Sequence, residues 1–275
     1  VGAKQIPGPV LDISIGRFFR FQQAYGSYAS YSGQSRPIQL NTIFDLASLT
    51  KVAATLPSVL KLVSDGSLRL EDSVSHYLPE FQHPMITVRH LLQHTSGLPA
   101  GLGRDALERT SDMGDVIYEI SKKKLLTEPG QTVLYSDLSM ILLGLVVEQI
   151  SGERLNDFAQ QHVFAPLGMV DAGFCPAKEL QSRIAATEWH ESGYLHGQVH
   201  DRTCRYLGGV CGPAGLFAAA DDLQRYAGSW LYPSSGLTWL NEELVQRSVS
   251  NPYQGRGLGW EVYDGTAASP LSRRF

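Results

Sequence analysis

Short apolar stretches open the chain, and helical spacing takes over further along. After Pro7-Gly8-Pro9, Val10 to Ile15 is mostly apolar and Phe18 to Tyr25 forms a second such stretch, with Gly16-Arg17 between them; the pattern predicts a β-hairpin in a strand-rich segment 1–45. Gly26 to Gln39 is polar and aromatic, and Pro37 marks it as irregular. From Ser48 to about Ser64, the stripe Val52, Leu56, Val59, Leu60, Val63 predicts a buried helix, kinked at Pro57 and stopped at Asp65-Gly66. Leu68 to Glu80 reads as an extended, charged connection. Thr87 caps a short helix running to His94, which Thr95-Ser96-Gly97-Leu98-Pro99 breaks. Further helices are expected over Asp112–Ser121, Leu138–Ile150, about Leu155–Val163, Asp221 to about Trp230, and Asn241–Arg247. Gly257 to Tyr263 reads as a strand, and no internal repeat or low-complexity linker interrupts the chain.

Composition leaves this picture intact. The 275 residues suffice for one large domain or two smaller ones, and 43% hydrophobic with 18% charged residues is ordinary for a globular protein. A net charge of −4 gives no reason to expect nucleic-acid binding. The richest apolar run, Met140 to Val147, is too short to span a membrane and ends in Glu148. The N-terminus lacks the basic and apolar regions of a signal peptide. The three cysteines, Cys175, Cys204 and Cys211, do not make a complete disulfide framework; Cys204 and Cys211 could pair, but buried free thiols are the expectation. Neither compartment nor oligomeric state is assigned.

Candidate chemistry starts at Ser48-Leu49-Thr50-Lys51. Residues three apart share a helix face, so the lysine nitrogen can reach the serine hydroxyl and assist its activation. A serine at a helix start also lies beside unpaired backbone N–H groups and the positive dipole end, which would stabilise an oxyanion. Taken alone, the same pattern fits an N-cap serine with a solvent-facing lysine. Tyr135-Ser136-Asp137 directly precedes the apolar helix from Leu138, so Tyr135 could present its phenol to a cleft as a general base, or simply anchor the loop. His90 and His94 have the i, i+4 spacing of a helical zinc site, with His190, His196, His200 and Asp201 as further candidates, but the glutamate of H-E-x-x-H is missing. Hydrogen-bonded histidines are the expected reading, with no metal and no cofactor. The glycine run 208–215 matches no phosphate motif and predicts close backbone packing against the site or the sheet.

In order, Ser48-x-x-Lys51 after Phe44-Asp45-Leu46-Ala47, then Leu91-Leu92-Gln93-His94-Thr95-Ser96-Gly97-Leu98, Tyr135-Ser136-Asp137 and Ala214-Gly215-Leu216 resemble the serine β-lactamase and penicillin-binding-protein superfamily. The similarity is to its class C-like branch, which includes family VIII esterases and D-alanyl-D-alanine carboxypeptidase-like proteins, and covers about residues 6 to 263. It implies an α+β, β-lactamase/transpeptidase-like fold: an antiparallel sheet flanked by helices from 1–65 and 201–275, with a mainly helical inserted region over 66–200. Ser48 would be the acylated nucleophile, with its own N–H as one oxyanion donor. Lys51 would be the proton-transfer partner and Tyr135 the second acid/base. Asp137 stands where the family often has asparagine; its carboxylate accepts only, and would contact substrate or pair with Lys51. The family's third motif, Lys-Thr-Gly or His-x-Gly on a strand, would fall just beyond Phe275, together with the second oxyanion donor and the terminal strands. The resemblance thus implies a fragment or a truncated, impaired member with exposed sheet edges.

The function expected is a serine hydrolase that forms an acyl-enzyme on Ser48 and takes a small ester, amide or β-lactam, with an ester favoured. Lys51→Ala is expected to abolish acylation with little loss of fold. The alternatives are a catalytically impaired scaffold that binds peptidoglycan-like peptides or a protein partner, and a histidine-based metal hydrolase.

Overall fold

The computed structural model describes residues 8–16, 19–29, 35–190, 193–232, 240, 242–250 and 252–263. Arg17 of the expected turn, Phe18 of the second strand and Asn241 of the last helix lie outside them. The expected hairpin forms: β1 (Val10–Ile15) pairs antiparallel with β2 (Phe19–Ala24) in the register Val10↔Ala24 to Ile15↔Phe19. The stretch read as irregular contains a second pair, β3 (Ser27–Ala29) with β4 (Ser35–Pro37). Three residues a side is too short for a period-two signal to emerge from the sequence.

The sheet that carries the candidate site is built from distant segments. β5 (Ile43–Asp45) leads directly to Ser48. After it come a 3-10 turn at Ala47–Leu49, a π turn at Lys51–Thr55, and then α1 (Leu56–Ser64). One helix kinked at Pro57 was expected from Ser48 onward, and Pro57 also accounts for its breaking into these turns. Leu56 N–H bonds Lys51 O, five residues back, and Pro57 has no N–H to offer. That leaves Val52 O without a helical donor, and the Tyr226 hydroxyl hydrogen-bonds it. Proline therefore shifts the hydrogen-bond register at the turn holding Lys51 rather than merely bending a rod.

The segment read as extended over Leu68–Glu80 contains α2 (Val74–Tyr77). α3 (Val88–Leu92) is capped as expected, Thr87 Oγ1 accepting from His90 N–H. It ends before His94, whose φ of 57° is left-handed and cannot continue a helix. A short α4 (Arg104–Leu107) precedes α5 (Met113–Ser121), and Asp112 caps α5 by accepting from Asp115 N–H at 2.9 Å. α6 (Asp137–Ser151) is the expected apolar helix, capped by Ser136 and closed by left-handed Gly152. It is buried nearly all round, so it forms the spine of the larger core together with α1, α3 and α5. The next helix extends past Val163 in pieces: α7 (Leu155–Ala159), a π turn at Gln160–Phe164, and α8 (Ala165–Leu167).

β6 (Gly173–Phe174) follows, then the small pair β7 (Trp189–His190) and β8 (Gly193–Tyr194), and α9 (Arg202–Tyr206) capped by Asp201. β9 (Leu216–Ala219) is the middle strand of the sheet β5-β9-β6; Phe217 lies opposite both Asp45 and Gly173. All of β9 is buried, which suits a central strand. α10 (Ala220–Leu231) packs beside it, and Arg20 ties the hairpin to α10 by ion pairs of 2.6 Å to Asp12 and to Asp221. α11 (Glu242–Val249) is the last helix. Gly257–Tyr263 is not a strand: only the isolated bridges Tyr253↔Arg256 and Arg256↔Glu261 form there. Gly259 has φ 76°, and a Cβ on Gly257 would come 2.0 Å from Ser248 O, so the backbone packs as a tight turn. Among the described residues no helix is long and apolar enough to cross a membrane.

Candidate active site

Ser48 is exposed, yet its backbone is held tightly. The preceding Ala47 sits at φ 45°, a conformation costing roughly 1–2 kcal/mol for a residue with a Cβ. Asp45 holds it there, its Oδ1 accepting Ala47 N–H at 2.8 Å and its Oδ2 accepting His200 N–H at 2.7 Å. Leu46 N–H donates to Leu216 O at 2.9 Å, and Thr50 Oγ1 accepts Leu216 N–H at 3.1 Å while donating to Ala47 O at 2.7 Å. The turn bearing Ser48 is thus pinned to the central strand on both sides.

Lys51 is the hub. It is 4% exposed, and its Nζ lies 2.9 Å from Ser48 Oγ, 2.9 Å from Pro213 O and 2.8 Å from Asp137 Oδ1. An ammonium has three N–H donors, and these are three acceptors. The contact with Asp137 is an ion pair rather than a well-directed hydrogen bond, and it compensates a buried carboxylate oxygen that has no other partner. Nζ also stands 5.0 Å from the centre of the Tyr135 ring. The structure therefore brings Ser48, Lys51, Tyr135 and Asp137 together, three of them around the fourth.

Pro213 comes from the glycine run, whose expected close packing is found against α6. A Cβ on Gly212 would lie 1.9 Å from Met140 O. Gly212 O accepts from Thr55 Oγ1 at 2.7 Å, which ties the loop to the π turn. Arg256, from the stretch read as a strand, places its guanidinium 5.9 Å from the Tyr135 ring centre and pairs loosely with Glu261 at 3.8 Å. Neither Pro213 nor Arg256 has a local sequence signal linking it to Ser48.

Among the described side chains the histidines do not gather; that of His190 lies outside them. Because His94 lies beyond the end of α3, the i, i+4 face read from sequence is lost. His90 Nδ1 accepts Thr87 N–H at 3.3 Å, and His94 Nδ1 accepts Ser136 N–H at 3.2 Å. His196 Nε2 is 2.8 Å from Ile184 O, and the imidazole of His200 pairs with Glu188 at 3.2 Å. Among the described residues no group of three or more His, Cys, Asp or Glu is placed to hold a metal ion. All three cysteines are free thiols, Cys204 and Cys211 buried and Cys175 exposed. A cavity of about 360 Å³, lined by Cys175, Val199, Arg205, Gly208 and Phe217 among others, opens beside the Gly208–Gly209 turn; none of Ser48, Lys51 or Tyr135 lines it.

The Beta-lactamase family model matches residues 2–272, nearly the whole chain. The chain belongs to the Beta-lactamase family. Members of the superfamily are serine hydrolases, and this member is serine-hydrolase-like. It is 29% identical over 91% of its length to an Escherichia coli K12 protein named "Putative D-alanyl-D-alanine carboxypeptidase", 67% of which it covers. A solved class C β-lactamase is similar in fold with a TM-score of 0.77 at 21% identity, over 97% of this chain and 72% of that one. EstCE1, described as a hydrolase with promiscuous acyltransferase activity, gives 0.72 at 25% identity, over 94% of this chain and 77% of that one. The chain spans only 61% of the length of an octameric penicillin-binding protein homologue from Pyrococcus abyssi. The α+β architecture expected from the sequence is thus the β-lactamase/transpeptidase-like fold.

In this Beta-lactamase-family chain, burial holds the His94 imidazole down at about 3, with the Arg256 and Lys51 charges adding to the effect. The unfolded chain takes up that proton near 6.5, whereas the folded chain does so only near 3. Stability should therefore be fully present above pH 6.5 and fall as pH drops from there toward 3, by on the order of a few kcal/mol from this residue. Carboxylates add a loss of the same sign. The measurement is the difference between wild type and His94→Asn in urea unfolding at pH 7 and pH 4.5: the variant should lose less stability on acidification, and equal losses would refute the contribution of His94.

Proposed function

We propose that the chain is a serine hydrolase that forms an acyl-enzyme on Ser48 and cleaves small esters or amides, with esters preferred. The observation that carries this reading is the position of the buried Lys51 Nζ, 2.9 Å from Oγ of the exposed Ser48. Ser48 Oγ attacks the substrate carbonyl carbon and the bond to the leaving group breaks. The serine proton passes through the site to the leaving oxygen or nitrogen, and water later releases the acid. Lys51, paired with Asp137 and hydrogen-bonded to Pro213 O, acts in this reading as a fixed charge rather than as the base. Tyr135 is then the acceptor: as a phenolate beside the Lys51 charge it takes the serine proton, becomes a neutral phenol and returns the proton to the leaving group. The Ser48 N–H serves as one oxyanion donor.

Asp137 supports the ester preference. Its carboxylate only accepts, and Lys51 already engages it, so this position offers no amide donor to a peptide-like substrate. In this reading the site lies between the region of 1–65 and 201–275, which supplies Ser48, Lys51 and Pro213, and the mainly helical region 66–200, which supplies Tyr135 and Asp137.

The test is intact-mass and peptide mapping after treatment with a fluorophosphonate, a small p-nitrophenyl ester and a penicillin. We expect one adduct on Ser48, ester turnover faster than penicillin turnover, and neither in Ser48→Ala. A folded wild-type chain left unmodified by the fluorophosphonate would overturn the reading.

A further inference from the structure

Tyr135 is 44% exposed and sits on a loop, yet a proton-transfer group must be held within a fraction of an ångström. What holds it is a residue on another segment. His94 O accepts Leu134 N–H at 2.7 Å, and His94 Nδ1 accepts Ser136 N–H at 3.2 Å. The residues on both sides of Tyr135 therefore donate their N–H groups to the same residue. The imidazole also stacks on the Tyr135 ring, with centroids 4.6 Å apart and planes 35° apart. His94 is itself 1% exposed and takes φ 57°, which few residues with a Cβ adopt. That conformation is what lets one residue offer its carbonyl to Leu134 and its ring to Tyr135 and Ser136. The following residues extend the lacing: Ser136 Oγ donates to Pro99 O at 2.7 Å, and Asp137 N–H donates to Ala100 O at 2.8 Å.

We propose that His94 is a positioning residue for Tyr135, fixing the phenol ring against Lys51 by bracketing its backbone and backing its ring. The proposal rests on the serine-hydrolase reading for its kinetic consequence, but not for its structural one. The neutral ring is required, because an imidazolium has no lone pair for Ser136 N–H. Lys51 and Arg256, both beside the Tyr135 ring, favour that neutral form.

Two variants separate the parts of the clamp. His94→Asn keeps an acceptor near the Nδ1 position and tolerates a left-handed backbone, but loses the ring. His94→Ala loses acceptor and ring together. For p-nitrophenyl acetate hydrolysis, His94→Ala should lower kcat about 100-fold with KM little changed, because binding groups stay while the proton acceptor drifts. His94→Asn should recover most of that loss. 3-Fluorotyrosine at position 135 gives a readout that needs no activity: one sharp fluorine resonance in wild type, broadening in His94→Ala, and sharpening again in His94→Asn. A folded His94→Ala with wild-type kcat, or with an unchanged fluorine resonance, would overturn the proposal. If Ser48 proves inert in wild type, the hydrolase reading fails on its own, and the fluorine line shape alone decides whether His94 positions Tyr135.

Discussion

Replacing Lys51 with alanine should slow acylation of Ser48 by about 10²- to 10⁴-fold, the range general-base catalysis contributes, because Tyr135 loses the charge that supports its phenolate. The loss follows from geometry. Lys51 Nζ contacts Ser48 Oγ, Pro213 O and Asp137 Oδ1 at 2.8–2.9 Å, so one substitution removes a charge that links the candidate nucleophile to the Tyr135 loop. The sequence alone suggested that the fold would barely notice. The structure revises that, because Lys51 is 4% exposed and its removal leaves Asp137 Oδ1 and Pro213 O without a donor. A stability loss of about 1–3 kcal/mol is expected from the unpaired acceptors. Asp137 is 40% exposed, so water limits the loss to the lower part of that range. Lys51→Arg should not rescue acylation, since a planar guanidinium cannot direct donors at three acceptors spread around a point. The measurement is the rate of adduct formation with a fluorophosphonate on samples checked for folding by circular dichroism. Wild-type labelling in a folded Lys51→Ala would remove Lys51 from the proposed chemistry.

What the sequence made legible is what depends on neighbours a few residues away. Ser48 and Lys51 are one helical turn apart, and they meet. Thr87 caps α3 because the residue type and the helical run after it are adjacent. Long-range placement was not legible. Pro213 reaches Lys51 across 162 positions, and nothing in a Gly-Pro-Ala triplet announces a carbonyl aimed at an ammonium. His94 was weighed as a metal ligand because i, i+4 spacing assumes an unbroken helix; its left-handed backbone ends the helix and turns the ring to Tyr135 instead. Pro57 suggested a kink, and the actual response was a π turn whose freed carbonyl, Val52 O, is met by Tyr226 from a helix 174 positions away. The small strands failed for a different reason: β6 has two residues and β5 three, so pairing with β9, not periodicity, makes them strands.

Gly212→Ala should damage both stability and acylation, and the contrast with another glycine shows why. Gly212 does not have a positive φ, so alanine meets no conformational objection there. The objection is steric: its Cβ would lie 1.9 Å from Met140 O and 2.7 Å from Met140 C, both backbone atoms of α6. α6 is the buried spine of the larger core and cannot retreat without opening voids, so the loop must move. Overpacking of this kind costs roughly 1–3 kcal/mol. The loop that moves carries Gly212 O, bonded to Thr55 Oγ1 at 2.7 Å, and Pro213 O, bonded to Lys51 Nζ at 2.9 Å. Lys51 then loses an anchor and acylation should fall about 10-fold or more, because a displacement near 1 Å suffices for that. Gly66→Ala is the control. Gly66 has φ 76°, and a Cβ there would meet nothing within 4 Å, so it should lose about 1 kcal/mol from backbone strain and leave acylation untouched. Urea unfolding and fluorophosphonate labelling of both variants decide the matter. A Gly212→Ala chain as stable as wild type and equally reactive would show that the loop can yield without disturbing Lys51, and that Pro213 does not help hold the site.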